Sequence, residues 1–465
     1  MQQKGEQNGP RLFGTNGVRG VYGSTINHHL VIDLVRALAS YFRNGPIVVG
    51  YDGRHSSPTI SKLVRATLNS AGIRTADAGL LPTPCLQFAA KKLGYSGGIM
   101  VTASHNPPEY NGLKPSGADG VEISREDELA VEKAYYDKVY PPVHAHAATD
   151  SRDESVVPAY IDAALALVDS DRIRNRKFTI VMDTGNGAQA AVAPLIARHL
   201  GCKVIVVNGR IDGDFPARGS EPLVTNLSIL TEAVKSSRAD LGVAFDGDGD
   251  RSIFCDEKGA IHWGDKTGAL LTRHLISTRH PGAEVVCPIN TSMVLESVTK
   301  EAGGRVFYTK VGSVEVSREM VARGSPLGLE ENGGYMYGPM NQVRDGAMST
   351  CLVLDMLAAS ASPFSGLVAG LPRTYQFKDK FSCNSRASVE SVVRAVLGHG
   401  SPRRIEQMDG AKIWIDDESW VMVRPSGTEP LIRMYAESTD KSLLDSKVEE
   451  YRRVIVSTIG GMQDS

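Results

Sequence analysis

Asp246-Gly247-Asp248-Gly249-Asp250-Arg251 stands between two short apolar runs, Leu241-Gly242-Val243-Ala244-Phe245 and Ser252-Ile253-Phe254-Cys255. In an extended or looping backbone alternate side chains fall on one side, so the three carboxylates can converge. Unpaired, each close pair costs roughly 4 kcal/mol at about 4 Å and an effective dielectric of about 20. A divalent cation removes that cost, and oxygen-only ligands favour a hard ion, Mg²⁺ or Ca²⁺, over zinc. Two readings compete with a metal site. One is a solvated turn, because Asp-Gly pairs are frequent turn signals. The other is an EF-hand, which wants acidic groups at loop positions one, three and five, glycine at six and glutamate at twelve. Glu257 falls at the twelfth position, but Arg251 stands where glycine is required. The apolar flanks read as strands, whereas an EF-hand needs two helices. The stretch is therefore a loop joining two strands.

Outward from this loop the same arrangement recurs. Leu34, Val35, Leu38 and Phe42 keep helical spacing, and Pro46-Ile47-Val48-Val49-Gly50 reads as a buried strand entering Asp52-Gly53-Arg54 and another helix. Phe178-Thr179-Ile180-Val181-Met182 enters Asp183-Thr184-Gly185-Asn186-Gly187 in the same way, and Glu284-Val285-Val286-Cys287 enters Pro288-Ile289-Asn290-Thr291-Ser292 and a helical run to Lys300. Three such openings predict three α/β units of one design. The polar stretch from Tyr140 through His146 to Glu154 reads as a linker, and a second break falls near Gly366 to Arg373. Beyond it we expect a strand at Thr374–Phe381, a helix around Val389–Leu397, two strands and a last helix with Leu444, Val448, Tyr451, Ile455 and Ile459 on one face. The expected fold class is α/β: three similar mixed-sheet domains over 1–150, 151–255 and 256–368, and a C-terminal α+β domain over 369–465.

A chain of 465 residues suits several cores, and its formal charge of −2 without a long basic block favours neither a nucleic acid nor a membrane surface as partner. Small anionic ligands stay open through local clusters. Cys85, Cys202, Cys255, Cys287, Cys351 and Cys383 are widely spaced, with no pair at metal-ligand spacing, and read as buried thiols in a reducing compartment. Met1 to Pro10 is polar and no run reaches the length of a membrane span, so the expectation is a soluble cytoplasmic protein.

Four further segments carry chemistry. Gly97–Val101 reads as a strand running into Thr102-Ala103-Ser104-His105-Asn106-Pro107, a turn that exposes a serine. A capped turn is the competing reading, since adjacent Ser and His rarely form a nucleophile-base dyad and the α/β-hydrolase elbow is missing. The hydroxyl becomes useful where a metal and a cationic pocket stabilise transferred phosphoryl charge, and Lys114 is near enough in sequence to serve that pocket. Phe13-Gly14-Thr15-Asn16-Gly17-Val18-Arg19-Gly20 surrounds one arginine with glycines, and Arg424-Pro425-Ser426-Gly427-Thr428-Glu429-Pro430 joins a guanidinium, two hydroxyls and a glycine. Such a donor set suits a phosphate. Glu330-Glu331-Asn332-Gly333-Gly334 offers carboxylates and an amide for sugar hydroxyls, or forms a turn.

In this order, FGTNGVRG, TASHNP, DGDGDR, EENGG and RPSGTEP, the chain resembles the α-D-phosphohexomutase superfamily over nearly its whole length, in an archaeal-type form. The resemblance implies three α/β domains and a C-terminal domain around one central cleft. It implies Ser104 as the phosphoryl carrier, and Mg²⁺ held by Asp246, Asp248, Asp250 and Ser104. Arg19, His105, Lys114 and Arg251 would lie near the reacting phosphate, with Lys114 the candidate general acid or base. Glu330 and Asn332 would recognise the sugar, and Arg424, Ser426, Gly427 and Thr428 would hold the phosphate that is not reacting. The implied function interconverts hexose 1-phosphate and hexose 6-phosphate, of glucosamine, glucose or mannose, through a hexose 1,6-bisphosphate; a homodimer is left open. The alternatives are a non-catalytic sugar-phosphate-binding paralogue and a sugar phosphatase, and retention of the serine, the three aspartates and Lys114 speaks against a pure binder. The chain departs from many relatives where they have histidine and it has Gly334, and where several bacterial members have Gly-His or Gly-Asp and it has Gly312-Ser313. Without that histidine, Lys114 or another group must do more.

Overall fold

The computed structural model describes residues 11–14, 16–43, 45–383, 385–426 and 431–460. In its first sheet the strands lie in the order Val18–Val21, Tyr110–Gly117, Gly97–Val101, Ile47–Tyr51, Thr75–Leu80, Asp150–Arg152. The second runs Ile261–His262, Ser252–Asp256, Leu241–Phe245, Thr179–Asp183, Lys203–Val207, and the third Arg305–Thr309, Glu284–Pro288, Leu327–Glu330, Gly334–Tyr337, Asn341–Arg344. One connection is used three times. A central strand pairs in parallel with the next two strands of its unit, and the outer of these turns into an antiparallel fourth. The central strands are apolar runs because helices cover both faces: Ile47, Val48, Val49, Ile180, Val181, Val285 and Val286 are all buried.

The turn from third to fourth strand sits at the same topological step in each sheet. In the first it carries Ser104, in the second Asp246 to Arg251, and in the third Glu331 to Gly333. What brings the three turns together is a core that crosses unit borders. Leu86 and Phe88 of the first unit, Tyr160 and Ile180 of the second, and Met348, Leu352 and Leu354 of the third belong to one apolar cluster. Helix Gly346–Ala359 is buried from its start to Ala358, and its one charged side chain, Asp355, is paired with Arg172 and Arg279. Each of its large side chains contributes about 1.5–3 kcal/mol on burial.

The fourth sheet, Tyr375–Ser382, Leu431–Ser438, Ser419–Pro425, Ala411–Trp414, Arg404–Glu406, is antiparallel throughout and has its own core against helices Arg386–Leu397 and Lys441–Gly460. The expected apolar face of the last helix is buried at Leu444, Val448, Tyr451 and Ile455. Where two strands were expected between these helices, four form. The three residues of Arg404–Glu406 show no apolar pattern, and the Asp416-Asp417-Glu418 turn divides what reads as a single strand. The stretch to Glu154, expected as linker throughout, contributes the exposed edge strand Asp150–Arg152. It pairs with the backbone of Thr75–Asp77 and is tied there by side chains as well, Asp150 Oδ1 accepting from Thr75 Oγ1 (2.9 Å) and Arg152 pairing with Asp77 (3.1 Å). The second sheet extends to His262, and we propose the border of the second unit after that residue rather than at 255.

Candidate active site

Ser104, expected on a turn that exposes it, is instead fully buried, because the aspartate loop packs against that turn. It has φ +52°, a left-handed conformation that costs a residue with a Cβ about 1–2 kcal/mol. Arg54, itself buried, holds it there. Its guanidinium donates to the carbonyls of Ser104 (2.8 Å), Asn106 (2.7 Å) and Tyr110 (3.0 Å), and its Nε to Asp52 Oδ2 (3.1 Å). Asp52 Oδ2 also accepts from Thr102 Oγ1 (2.6 Å), which in turn accepts the Ser104 N–H (2.8 Å). Burial raises the Asp52 carboxyl and Arg54 opposes that rise. One buried ion pair thus secures the loop at the carbonyls of Ser104, Asn106, Pro107 and Tyr110 and, through Thr102, at the Ser104 N–H.

The aspartate loop lies directly against this turn. A Cβ at Gly247 would come within 2.7 Å of the Ser104 carbonyl oxygen, so only glycine permits the approach. Ser104 Oγ donates to Asp246 Oδ2 at 3.0 Å, and Asp246 Oδ1 accepts the Arg251 N–H at 3.1 Å. Asp248 Oδ2 accepts from Thr83 Oγ1 (2.6 Å) and Lys114 Nζ (2.9 Å); Asp250 Oδ2 accepts from Lys114 (3.0 Å) and Arg344 (2.6 Å). The other oxygen of each, Asp248 Oδ1 and Asp250 Oδ1, is buried without a hydrogen-bond partner. One oxygen from each of the three aspartates can be chosen so that all lie within 4.8 Å of one another. Burial first, then Asp250 and Asp248, push Asp246 well above the ordinary carboxylate range. Burial also works against Asp248, but the Lys114 charge and the Thr83 hydrogen bond outweigh it and hold that carboxyl well below the range. Buried oxygens with vacant lone pairs fit a hard divalent cation.

Cations surround the serine. Arg19 donates to the Ala103 carbonyl (3.3 Å) and Asn106 Oδ1 (3.2 Å), and burial draws its pKa down to about 10 against the pull of Asp248 and Asp250. His105 Nδ1 lies 3.4 Å from Ser104 Oγ; the charge of Arg251, then burial, keep this imidazole well below its ordinary value and hence neutral. Arg251 reaches Glu221 (3.1 Å), while its Nε is buried and without a partner. Lys114 is buried on the antiparallel strand opposite Met100; burial lowers it, but Asp248 and Asp250 raise it further, so it is protonated. The cluster can therefore neutralise an incoming phosphate from several sides.

The remaining expected residues divide. Glu330 joins the cluster through Arg344 Nη1 (3.1 Å), whereas Asn332 Oδ1 accepts the Gly334 N–H (3.2 Å) and braces its own turn. Arg424 Nε donates to Asp409 Oδ2 (2.9 Å), which also accepts the Val311 N–H (3.0 Å), so this arginine is tied to the 310–313 loop rather than to Ser104. The Ser426 N–H donates to the Leu431 carbonyl (2.9 Å), and Gly427 and Thr428 lie outside the described residues. Sequence reasoning gave no role to Arg54, Thr83 or Arg344, and offered Glu331 only as one of the carboxylates for sugar hydroxyls. Glu331 accepts from Trp263 Nε1 (2.7 Å) and from Lys378 of the fourth unit. A charged pair, Arg344-Asp345, ahead of the largely apolar stretch 347–358 was the available signal for Arg344.

Comparison with known proteins identifies the family of the whole chain. Models of the phosphoglucomutase/phosphomannomutase family match in four parts: alpha/beta/alpha domain I over 10–139, domain II over 158–259, domain III over 263–375, and the C-terminal domain over 385–454. A phosphoglucosamine/phosphogalactosamine mutase of Sulfurisphaera tokodaii is 38% identical over 452 residues, covering 96% of this chain and 99% of that protein. A phosphoglucomutase/phosphomannomutase of Thermococcus kodakarensis is 37% identical over 446 residues, covering 95% and 96%. The crystal structure of a phosphoglucomutase/phosphomannomutase family protein from Burkholderia thailandensis superposes with a TM-score of 0.85 at 27% identity, over 96% of this chain and 97% of that one. Among the described residues no helix is long and apolar enough to cross a membrane. With four domain models matched in order and near-complete relatives above 30% identity, the chain belongs to the phosphoglucomutase/phosphomannomutase family of enzymes.

Proposed function

We propose that this protein interconverts hexose 1-phosphates and hexose 6-phosphates, with Ser104 as the covalent phosphoryl carrier and a hexose 1,6-bisphosphate as intermediate. The observation that carries the reading is Ser104 Oγ at 3.0 Å from Asp246 Oδ2, among Arg19, His105, Lys114 and Arg251, of which Lys114 and Arg251 are buried and Arg19 and His105 half-buried. In the first half-reaction the free hydroxyl of the sugar monophosphate attacks the phosphorus of phosphorylated Ser104. The new O–P bond forms as the Oγ–P bond breaks, and the proton leaving the sugar hydroxyl is returned to Oγ. Lys114, protonated at rest between Asp248 and Asp250, is the group we assign to that transfer. After the bisphosphate turns over, its other phosphoryl group returns to Ser104 by the reverse of the same step.

Asp246, Asp248, Asp250 and Ser104 would hold Mg²⁺, which when bound supplies neutralising charge for the phosphoryl group in transfer. Arg19 and Arg251 orient that group, and the unpartnered Nε–H of Arg251 is free to donate to it. Glu330 and Asn332 are assigned to the sugar hydroxyls, and Arg424 with Ser426, Gly427 and Thr428 to the second phosphate. The six cysteines are buried free thiols, in keeping with a cytoplasmic enzyme.

The test is direct. Purified protein is incubated with Mg²⁺, a trace of hexose 1,6-bisphosphate and in turn glucosamine, glucose and mannose 1-phosphate, and both 6-phosphate and free phosphate are followed. We expect 6-phosphate from at least one sugar without stoichiometric phosphate release. Absence of 6-phosphate from all three would remove the mutase reading, and stoichiometric free phosphate would replace it with a phosphatase.

A further inference from the structure

Arg344 is the last residue of the edge strand Asn341–Arg344, buried to 6% exposure, and it belongs to none of the motifs by which the site is read. Its guanidinium is divided between two loops. Nη2 donates to Asp250 Oδ2 (2.6 Å) and Nη1 to Glu330 Oε2 (3.1 Å). Among the described residues Glu330 has no other ion-pair partner, and its side chain is 7% exposed. Asp250 takes both its cations, Lys114 and Arg344, on Oδ2, which turns the unpartnered Oδ1 the other way.

The stem of the arginine has a second role. At Gly334, opposite Glu330 in the hairpin, a Cβ would stand 2.4 Å from Arg344 Cδ and 2.8 Å from Cγ. The φ of Gly334 is not in the left-handed region, so it is space and not backbone conformation that excludes a side chain there. The arginine therefore fills the position that a larger residue at 334 would need, and the two residues are one packing unit.

We propose that Arg344 is a positioning residue that couples the aspartate loop to the sugar-facing loop, one guanidinium holding Asp250 and Glu330 together. The inference rests on the phosphomutase reading of the same site and adds a linkage to it. A change at Glu330 alters how strongly Arg344 leans on Asp250, and so alters the affinity of the aspartates for a divalent cation. By reciprocity, cation binding alters how firmly Glu330 is held for a sugar hydroxyl. A guanidinium suits this task because its planar fork meets two carboxylates at once, which a lysine ammonium does not reproduce.

The experiment is a double-mutant cycle on the full-length, EDTA-stripped protein, read as Mn²⁺ affinity by electron paramagnetic resonance of the free ion. The variants are Glu330→Gln, Arg344→Met and the double mutant, with KM and kcat measured on each. We expect Glu330→Gln to change the Mn²⁺ dissociation constant by about threefold or more when Arg344 is present and by less than that with Arg344→Met. Arg344→Met and Arg344→Lys should raise the sugar-phosphate KM more than they lower kcat. Gly334→Ala, which keeps the arginine but displaces its stem, should remove the same coupling; if Arg344→Met does not fold, this variant carries the cycle alone. Additive effects within the error of the titration, in whichever cycle folds, overturn the proposal. A wild-type protein that binds Mn²⁺ and turns over while the cycle is additive loses only the role of Arg344. A wild-type protein that does neither loses both readings.

Discussion

The aspartate loop at 246–251 and the glutamate loop at 331–333 occupy the same step of the second and third sheets, yet their charges are settled differently. In the glutamate loop the protein supplies the partners. Glu330 at its entrance meets Arg344, and Glu331 meets Trp263 and Lys378. In the aspartate loop two buried carboxylates each keep one oxygen without a partner, although Lys114 and Arg344 are within reach of the other. A buried acceptor left vacant costs about 1–3 kcal/mol, and a fold that already provides two cations at hand would fill it unless something else did. On the proposed function, the comparison separates a sugar-facing loop whose charges the protein itself satisfies from a loop with vacant oxygens suited to an ion.

The third member of the set, the Ser104 turn, offers the largest test. Ser104→Ala should abolish phosphoserine in intact-mass analysis and reduce turnover by about 10⁴-fold or more; wild-type activity in that variant would move the nucleophile elsewhere. Asp248→Asn comes next. It withdraws one of the two anions that pair with buried Lys114, a change of the kind that costs about 3–5 kcal/mol, and it should lower kcat about 10³-fold. Thermal melts with and without Mg²⁺ check it: the wild-type protein should gain stability from the ion and the variant should not. Equal gains would show that the vacant oxygens do not bind it.

A smaller effect concerns how the two loops are held in register. Asp345 caps helix Gly346–Ala359 through the Met348 N–H (2.9 Å) and accepts from Tyr160 of the second unit (2.6 Å). Burial raises its carboxyl to about 6. Because the folded value lies above the unfolded one, its contribution to stability is fully present below about pH 4 and is lost as pH rises through about 6, on the order of 3 kcal/mol in all. Asp345→Asn keeps an acceptor oxygen for both partners, so the difference in stability between wild type and variant should shift in favour of the variant across that interval, as denaturant titrations in EDTA would show. A pH-independent difference would contradict it. The smallest change is expected for Lys378→Met, which releases Glu331 from the fourth unit: a severalfold rise in KM with kcat nearly unaltered, measured by initial rates. A fall in kcat as large as that of Asp248→Asn would erase the distinction between the loops.

Much of this architecture is legible in local sequence. Alternate aspartates between apolar runs read as a loop between strands, and the serine turn, Lys114 and the repeated strand openings are all visible within windows of a few residues. Gly427 to Pro430 of the RPSGTEP segment lie outside the described residues, so the second phosphate site rests on that segment's donor set and on the family resemblance. The edge strands Asp150–Arg152 and Arg404–Glu406 were not legible, because three residues, polar but for Ile405, are too few to show a strand's alternation.

The sequence by itself determined which groups are present and which local turns display them: three carboxylates that share a side, a serine at a tight turn, glycines where backbones must meet. It did so because turn chemistry and strand burial act over a few residues. Only the tertiary structure decided which donor answers which acceptor. Thr83 reaches Asp248 across 165 positions, Arg344 reaches Asp250 across 94, and Arg54 reaches the Ser104 carbonyl across 50. Those pairings arise when a shared apolar core brings the three units together, and burial then makes every unpaired charge costly enough to require a partner.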